Sequence, residues 1–144
     1  MLGLDYQPCA ACAFWFGDRI MLTQRKTKVF NGCMGVVGGK IDAGEMVLDG
    51  LLREVREETG YTPVSTPRLL DCYLAEEYKH KVFLFDCLEP LVSFDLVRNL
   101  EPEKHTDWEL FAREQALRMN LVPFLRHYLT NPLTLPEIPV RLGV

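Results

Sequence analysis

The stretch GKIDAGEMVLDGLLREVREETGY, residues 39–61, carries the strongest local signals in this chain of 144 residues. Placed at about 100° per residue, its segment Glu45–Thr59 collects four aliphatic side chains on one stripe, which predicts a helix with a buried face. Gly60 stands where helices usually end, because glycine accepts the left-handed backbone of a C-terminal cap. The aliphatic stripe consists of Leu48, Leu51, Leu52 and Val55.

A separate stripe of the same predicted helix is acidic. Glu54, Glu57 and Glu58 stand at i, i+3 and i+4, where like charges repel by about a few tenths of a kcal/mol per pair. Only Arg53 and Arg56 are near enough to compensate them. Clustered carboxylates are hard oxygen ligands that suit Mg²⁺ or Mn²⁺, and a bound cation would turn their repulsion into binding. Taken alone, such a patch is more often an ordinary solvated face than a metal site.

The residues before the helix, Val37-Gly38-Gly39-Lys40, predict the end of a strand that turns into a loop. Glycines at this place let backbone carbonyls and amides approach a metal ion or a phosphate closely. Lys40 adds a cation to a chain whose net charge is −4. A negatively charged small substrate would need such a local cation, so Lys40 is a candidate substrate-binding residue.

The combined spacing is more specific than its parts. The series Gly39-x5-Glu45-x7-Arg53-Glu54-Val55-x-Glu57-Glu58-x-Gly60-Tyr61 resembles the complete signature of the Nudix family. It departs only at Tyr61, where the family usually carries an aliphatic residue. The resemblance implies a Nudix-like α/β/α sandwich with a mixed sheet, formed as one domain over residues 1–144. It also implies an enzyme that hydrolyses a nucleoside diphosphate linked to a further group.

The resemblance assigns a metal site to this stretch, which we call the box (residues 39–61). It implies that Glu57 and Glu58 bind Mg²⁺ or Mn²⁺, and that a backbone carbonyl of Gly38 or Gly39 adds another ligand. A metal ion at a pyrophosphate neutralises charge and lowers the pKa of bound water, which agrees with this assignment. The box is therefore expected to hold a divalent cation against the substrate.

The resemblance also assigns catalytic roles to the remaining polar residues of the box. It implies that Glu54 is a further metal ligand or the base that activates water. Arg53 would orient this glutamate, and Glu45 would brace the arginine. A carboxylate next to bound water can accept its proton, which is the step such a base performs.

Within the family the chain looks most like MutT-type enzymes, which cleave nucleoside triphosphates to a monophosphate and pyrophosphate. Residues 99–108, NLEPEKHTDW, resemble the loop in which such enzymes often supply one more glutamate to the metal or the water. Glu101 is the favoured candidate for this role, and Glu103 is the second. A solvated acidic loop is an equally open interpretation of both residues.

Two further residues are candidates for contacts with the nucleotide. Asn120 precedes the predicted helix Leu121–Leu129, where it predicts an N-terminal cap. Some MutT-type enzymes instead use an asparagine at this place to bind a purine edge, and a carboxamide has the donor and the acceptor for it. Arg25 matches a position at which such enzymes contact phosphate, although an exposed basic loop is as compatible with the sequence.

Three functions compete at this stage. The first is a nucleoside triphosphate pyrophosphohydrolase, with clearance of oxidised purine nucleotides as one role. The second is a hydrolase of dinucleotides, such as diadenosine polyphosphates or nucleotide sugars. The position of Tyr78 after the box is compatible with this function. ADP-ribose hydrolases are disfavoured, because they tend to carry a proline after the box and none occurs between Arg68 and Glu89. The third is a non-catalytic binding module, which would generally have lost the box carboxylates.

Six further segments predict strands, because they are apolar or alternating and end at turn residues. A hairpin turn at Lys79-His80 would place Cys72 opposite Cys87. Residues 130–144 contain three prolines and predict an extended tail, which leaves a homodimer open. The predicted strands are Cys9–Phe16, Arg19–Thr23, Cys33–Val37, Arg68–Tyr78, Lys81–Leu88 and Trp108–Ala112.

The composition excludes several classes of protein. Hydrophobic residues make up 48% of the chain and charged residues 25%, which is typical of a globular domain. The acidic balance argues against binding of duplex nucleic acid and favours a small nucleotide as partner. The longest uncharged runs, Tyr6–Gly17 and Val29–Gly39, are shorter than the about 20 residues of a membrane-spanning helix. No secretory signal is visible, so we expect a cytoplasmic protein.

The cysteines and histidines do not predict a further site. Cys9 and Cys12 have zinc-like spacing, but positions three apart in a strand point to opposite faces, so we expect free buried thiols. His80, His105 and His127 show no spacing of metal ligands. We therefore expect all three histidines on the surface or on a helix face.

Overall fold

The structure, a computed structural model, describes residues 6–131 as a mixed sheet with helices on both faces. The strands are β1 (Gln7–Phe16), β2 (Arg19–Gln24), β3 (Met34–Gly35), β4 (Val37–Lys40), β5 (Arg68–Ala75), β6 (His80–Glu89) and β7 (Glu109–Phe111). The helices are α1 (Val47–Thr59), α2 (Arg113–Ala116) and α3 (Pro123–Thr130). None of these helices is long and apolar enough to cross a lipid bilayer.

Strand β1 is the centre of the sheet. The order is β3-β2-β1-β6-β5, with β4 also paired to β1 and β7 to β2. Strands β1 and β6 run parallel along their whole length, whereas the other pairs are antiparallel. On the side of β1 that faces away from β6, the first half of the strand pairs with β4 (Cys9↔Lys40) and its end pairs with β2 (Phe16↔Arg19). The predicted mixed sheet is confirmed.

Two apolar cores lie on the opposite faces of this sheet, as alternation along a strand requires. One contains Leu51 of α1, and the other contains Leu125 of α3. Cys9 belongs to the second of these cores and Cys12 to the first, and both are free thiols. The predicted α/β/α layering and the predicted divergence of the two thiols are therefore confirmed.

Helix α1 starts later than predicted and has only part of the predicted buried face: Leu48 packs against the core from its edge, and Leu52 belongs to neither core. Leu51 and Val55 are fully buried, and the helix ends at Thr59 with Gly60 at φ 70°. It begins at Val47 rather than at Glu45 because the Glu45 side chain is used in the preceding loop. There the Asp42 N–H donates to Glu45 Oε1 at 3.0 Å.

The predicted hairpin register was wrong. A short 3-10 turn, Glu76–Tyr78, intervenes, so Ala75 pairs with His80 and Cys72 faces Phe83 instead of Cys87. A bulge between Leu69 and Asp71 shifts the register once more. The two cysteines are consequently not cross-strand neighbours.

Two predicted boundaries also need correction. The segment Cys33–Val37 is divided between β3 and β4 rather than forming one strand. Helix α3 begins at Pro123, and Asn120 is not its cap, because the Asn120 carbonyl accepts from the Met34 N–H at 2.7 Å and Leu121 bridges to Met34. This pairing keeps residues 120–122 extended. Apart from Thr130 and Asn131, the predicted tail lies outside the described residues.

Candidate active site

A cavity of about 500 Å³ lies beside the box, where β1, β4, α1 and the loop before β7 meet. It combines acidic side chains with basic ones and with exposed backbone. Its polar lining includes Gly39, Lys40, Glu54, Glu58 and Glu101. The fold thus brings the helix stripe, the glycine turn and the later acidic loop to one place.

Arg53 connects several acidic residues on one side of this site. Its guanidinium donates two hydrogen bonds to the Glu45 carboxylate, at 2.8 Å from Nε and 2.9 Å from Nη2. Nη1 donates to Glu54 at 2.9 Å and to Glu57 at 3.2 Å, and Nη2 donates to the Lys40 carbonyl at 2.9 Å. The Arg53 bond and the Asp42 N–H lower the pKa of Glu45 to about 2. Arg53 therefore fixes one face of Glu54 relative to β4.

The two glycines of β4 allow a contact that no other residue would permit. A Cβ on Gly39 would lie 2.4 Å from the Glu54 carboxyl carbon, and one on Gly38 would lie 2.4 Å from the Ala10 carbonyl oxygen. The Gly38 N–H donates to Glu58 Oε2 at 3.0 Å. Backbone and carboxylates can approach this closely only where side chains are absent.

Gly50 is a residue that the sequence interpretation missed. It lies inside α1, where glycine costs about 1 kcal/mol relative to alanine. A Cβ there would lie 2.7 Å from Ile41 Cδ1 and 2.9 Å from Glu45 Oε1. The signal was present, because a glycine in a strong helix indicates a close approach by another part of the chain.

Glu58 and Glu54 are carboxylates with too little compensation. Glu58 is 8% exposed, and burial, with the charges of Glu54 and Glu101, raises its pKa well above the ordinary value. Burial also raises the pKa of Glu54, although the hydrogen bond from Arg53 opposes the shift. A buried negative charge is costly unless a positive partner is close. The pair is therefore suited to a divalent cation.

Glu57 and Glu103 are not brought into the cavity lining. The Glu57 side chain is half exposed and is held by Arg53, so it stands beside the cavity rather than in it. Glu103 is exposed on the acidic loop. Glu101 does line the cavity, and Lys104 Nζ pairs with its Oε2 at 3.0 Å. The structure thus separates the two candidate glutamates of this loop.

His105 contradicts the expectation of a surface histidine. It is 5% exposed and lines the cavity, and one of its ring nitrogens, Glu58 and Glu101 offer ligand atoms that all lie within 4.8 Å of one another. The reason is that residues 104–106 pair with the end of β2, through the bridge between Arg25 and His105. This turns the ring inward. His80 also lines the cavity, whereas His127 is exposed as expected.

The nucleotide-contact candidates are divided as well. Arg25 lines the cavity, where it donates to the Val29 carbonyl at 2.7 Å and to Thr27 Oγ1 at 3.2 Å, and burial lowers its pKa. The apolar part of the lining includes Phe30 and Phe124. Asn120 is exposed and outside the lining. The cavity therefore has a charged end and an aromatic part.

Comparisons with known proteins identify the family of this fold. A family model described as the NUDIX domain matches residues 5–131. The MutT Nudix hydrolase of Burkholderia pseudomallei is 27% identical, with a TM-score of 0.64 over 75% of this chain and 84% of that one. The Nudix domain of NrtR from Shewanella oneidensis, solved in complex with ADP ribose, is 17% identical, with a TM-score of 0.66 over 85% and 84%.

A shorter stretch resembles a curated protein. Over 46 residues the chain is 41% identical to the ADP-ribose pyrophosphatase of Methanocaldococcus jannaschii. The match covers 32% of this chain and 27% of the archaeal protein. The domain match, in contrast, extends over the whole described fold, box and cavity included. On these grounds the chain belongs to the Nudix family, and MutT-type hydrolases are among its structural relatives.

Proposed function

We propose that this chain hydrolyses a nucleoside diphosphate linked to a further group, with a nucleoside triphosphate as the favoured substrate. The products would be a nucleoside monophosphate and pyrophosphate. The observation that carries the proposal is the buried Glu58 carboxylate beside the partly buried Glu54, both against the Gly38-Gly39 backbone, with Arg53 bonded to Glu54 alone of the two. This arrangement is unfavourable unless a cation binds, and the cavity beside it has room for a nucleotide.

The residues present fit Mg²⁺ or Mn²⁺. Glu58 and Glu101 would hold the cation together with a carbonyl of Gly38 or Gly39, and Glu57 could join after turning from Arg53. Of the two roles open to Glu54, ligand or base, we assign it that of the base. A bound cation supplies charge neutralisation at the phosphates and a more acidic water molecule. The chain then has to position this water and receive its proton.

Glu54 is the residue placed for proton transfer. One of its oxygens accepts from Arg53 at 2.9 Å, and the carboxylate lies against Gly39 at the cavity wall. A carboxylate at this wall can accept a proton from a water molecule bound next to it. Arg53, itself held by Glu45, acts as the positioning residue. Glu54 is therefore our candidate for the general base.

The other cavity residues support nucleotide binding. Lys40 and Arg25 are the cations for the phosphate chain, and Phe30 and Phe124 provide aromatic surface for a base. We retain Asn120 as a candidate for the purine edge, because it precedes Val122, which lines the cavity. Asn120→Ala should then change base preference more than overall turnover. An equal loss for all bases would remove Asn120 from base recognition.

ADP-ribose is the second candidate substrate. The local identity to an ADP-ribose pyrophosphatase and the fold shared with an ADP-ribose-binding Nudix domain favour it, although the proline expected after the box is absent. Dinucleotides are less favoured as substrates, since the Tyr78 hydroxyl already accepts a hydrogen bond from the Phe30 N–H at 3.2 Å. A binding module without catalysis is disfavoured by the presence of Glu54, Glu57 and Glu58.

The test is a substrate panel with product identification. Unmodified and oxidised purine nucleoside triphosphates, ADP-ribose and a diadenosine polyphosphate are each incubated with Mg²⁺ or Mn²⁺. The proposal expects the highest kcat/KM for a triphosphate, with pyrophosphate released. Preference for an oxidised purine would add a role in clearing damaged nucleotides.

Two outcomes would overturn the proposed substrate class. One is release of orthophosphate only, and the other is a higher kcat/KM for ADP-ribose, with AMP and ribose 5-phosphate as products. Glu58→Gln gives the inactive reference, and Glu77→Gln is the matched control because Glu77 is exposed in the turn before β6. The cytoplasmic location and a homodimer stay predictions from the sequence.

A further inference from the structure

His105 is a buried polar side chain with an unused atom. It is 5% exposed, and its Nε2 has no hydrogen-bond partner among the described residues. Leaving a buried polar atom unpaired costs about 1–3 kcal/mol, so native proteins rarely do it without a ligand, an ion or a water molecule nearby. The box does not account for this residue, because His105 lies on the loop before β7.

The surroundings of the ring determine which nitrogen carries the proton. Nδ1 lies 3.0 Å from the Thr106 carbonyl, which can only accept a hydrogen bond, so Nδ1 must be the donor. The Thr23 hydroxyl also donates to this carbonyl. A proton on Nδ1 leaves a lone pair on Nε2, which is the form of imidazole that binds metals.

The ring is also held in place by packing. The indole of Trp108 lies 4.7 Å from the imidazole, measured between ring centroids, and Trp108 is itself buried. The Asn99 side-chain amide donates to the His105 carbonyl at 3.1 Å. A metal-binding histidine typically has its second nitrogen bonded to a carbonyl or carboxylate, and this histidine has that arrangement.

The two nearest acidic groups complete a possible coordination set. Glu58, Glu101 and a ring nitrogen of His105 have ligand atoms that are mutually within 4.8 Å. One cation at about 2.0–2.6 Å from each atom would fit among them. Because Nδ1 is bonded to Thr106, the nitrogen available to such a cation is Nε2. Lys104 pairs with Glu101, but Glu58 has no cationic side chain bonded to it in the described part of the chain.

We propose that Glu58, Glu101 and His105 form a mixed oxygen and nitrogen site that binds a transition-metal cation, such as Mn²⁺, in preference to Mg²⁺. Mg²⁺ strongly prefers oxygen ligands, whereas imidazole suits transition metals such as Fe, Ni, Cu and Zn. Mn²⁺ suits the two carboxylates and, as a transition metal, is the cation with which the histidine ligand is tested. The proposal rests on the proposed function in that Glu58 is shared with the box. It goes beyond that function by adding a histidine ligand and by naming the class of metal.

Pulsed electron paramagnetic resonance of Mn²⁺ bound to the full chain tests this directly, without substrate. A histidine ligand gives nitrogen modulation of the Mn²⁺ signal, and this modulation changes when the protein is labelled with [¹⁵N]histidine. His105→Asn is the informative variant, because its amide can still donate to Thr106 while the Nε2 position is lost. His127→Asn is the matched control, since His127 is an exposed histidine of α3.

We expect nitrogen modulation in the wild type and in His127→Asn, and none in His105→Asn. The Kd for Mn²⁺ should rise about tenfold or more in His105→Asn, because even outer partners of metal ligands are worth that much. The Kd for Mg²⁺ should change less. If His105→Asn does not fold, the same isotope comparison on His80→Asn decides the question, because His80 is the other histidine in the cavity lining.

Two results would overturn the site. Mn²⁺ that binds without nitrogen modulation would remove His105, while the carboxylate ligands and the proposed hydrolase would stand. Failure of the wild type to bind Mn²⁺ at all, combined with no hydrolysis in the substrate panel, would overturn the proposed function as well. The two failures are therefore distinguishable.

Discussion

Asp86 and Glu58 are both buried carboxylates, but their surroundings differ. Asp86 is 2% exposed and accepts three hydrogen bonds, from Arg68 Nε at 3.0 Å, from Arg68 Nη2 at 2.9 Å and from the Tyr128 hydroxyl at 2.9 Å. Glu58 is 8% exposed, and its carboxylate accepts, among residues 6–131, only the Gly38 N–H. Its other close neighbours include further carboxylates.

The difference separates a structural charge from a functional one. The fold itself supplies the positive partner of Asp86, so that charge contributes to the packing of β5, β6 and α3. Glu58 lies at a cavity wall, and in the described part of the chain no cationic side chain is hydrogen-bonded to its carboxylate, although the charge of Arg25 acts on it from a greater distance. Incomplete compensation in a cavity is typical of functional sites, and it is the feature that the proposed cation would complete.

The largest expected effect on activity comes from neutralising Glu58 and Asp86 in two separate variants. Glu58→Gln should lower kcat by about three orders of magnitude or more, because a metal ligand is worth several kcal/mol to the transition state. The variant should remain folded. Asp86→Asn should instead lower the free energy of unfolding by about 1–3 kcal/mol, with kcat per folded molecule nearly unchanged.

Steady-state kinetics and urea unfolding on both variants check this contrast. Equal losses of activity and stability in the two variants would remove the distinction between them. Wild-type kcat in Glu58→Gln would exclude Glu58 from the reaction.

The next effect concerns the paired half of the site. Arg53→Lys keeps the positive charge but loses the pair of hydrogen bonds to Glu45, and the position of Glu54 should become less defined. We expect kcat to fall about 100-fold with little change in KM, as a small misplacement of a catalytic group can cost this much. Arg56→Lys, on the exposed side of α1, is the control. A loss confined to KM would contradict the positioning role.

Cation binding should distinguish the same two carboxylates through stability. At a free Mn²⁺ concentration about 100 times its Kd, the free energy of unfolding should rise by about 2.7 kcal/mol. Asp86→Asn should gain as much as the wild type, and Glu58→Gln should gain much less. Chelation should reverse the gain. Identical gains in all three proteins would place the bound cation away from Glu58.

The smallest effect is the pH dependence of the stability that the Arg53–Glu45 ion pair contributes. Arg53 lowers the pKa of Glu45 from its ordinary 4.5 to about 2. A lowered pKa means that the stabilisation is complete above pH 4.5 and is lost as the pH falls towards about 2. The Tm difference between wild type and Glu45→Gln should therefore shrink over this range. A constant difference would show that the interaction does not depend on the Glu45 charge.

The box was predictable because its chemistry is local. Glu54 and Glu58 share one helix, so their spacing alone places them on one face, and the preceding glycines follow from the same short stretch. His105, which lines the cavity from outside the box, was not predictable in the same way. His105 turns inward only because the loop before β7 pairs with residues at the end of β2, and this long-range contact leaves no spacing signal.

The same distinction explains the other errors. The register of β5 on β6 depends on the 3-10 turn and the bulge, neither of which has a distinctive residue pattern here. Asn120 looks like a helix cap by type, but the bridge from Leu121 to Met34 keeps this segment extended. Local propensity is overridden at Asn120 by pairing between distant parts of the chain, whereas the register error arises from the irregular hairpin itself.

Tyr61, the one unusual residue of the box, ties the end of α1 to the centre of the sheet. Its hydroxyl donates to Glu89, which is 4% exposed and also accepts from the N–H groups of Val64 and Ser65. An aliphatic side chain at position 61 would deprive Glu89 of one donor. Positions 61 and 89 are thus expected to change together during evolution, and this pair offers a marker for sorting relatives of this chain into subgroups.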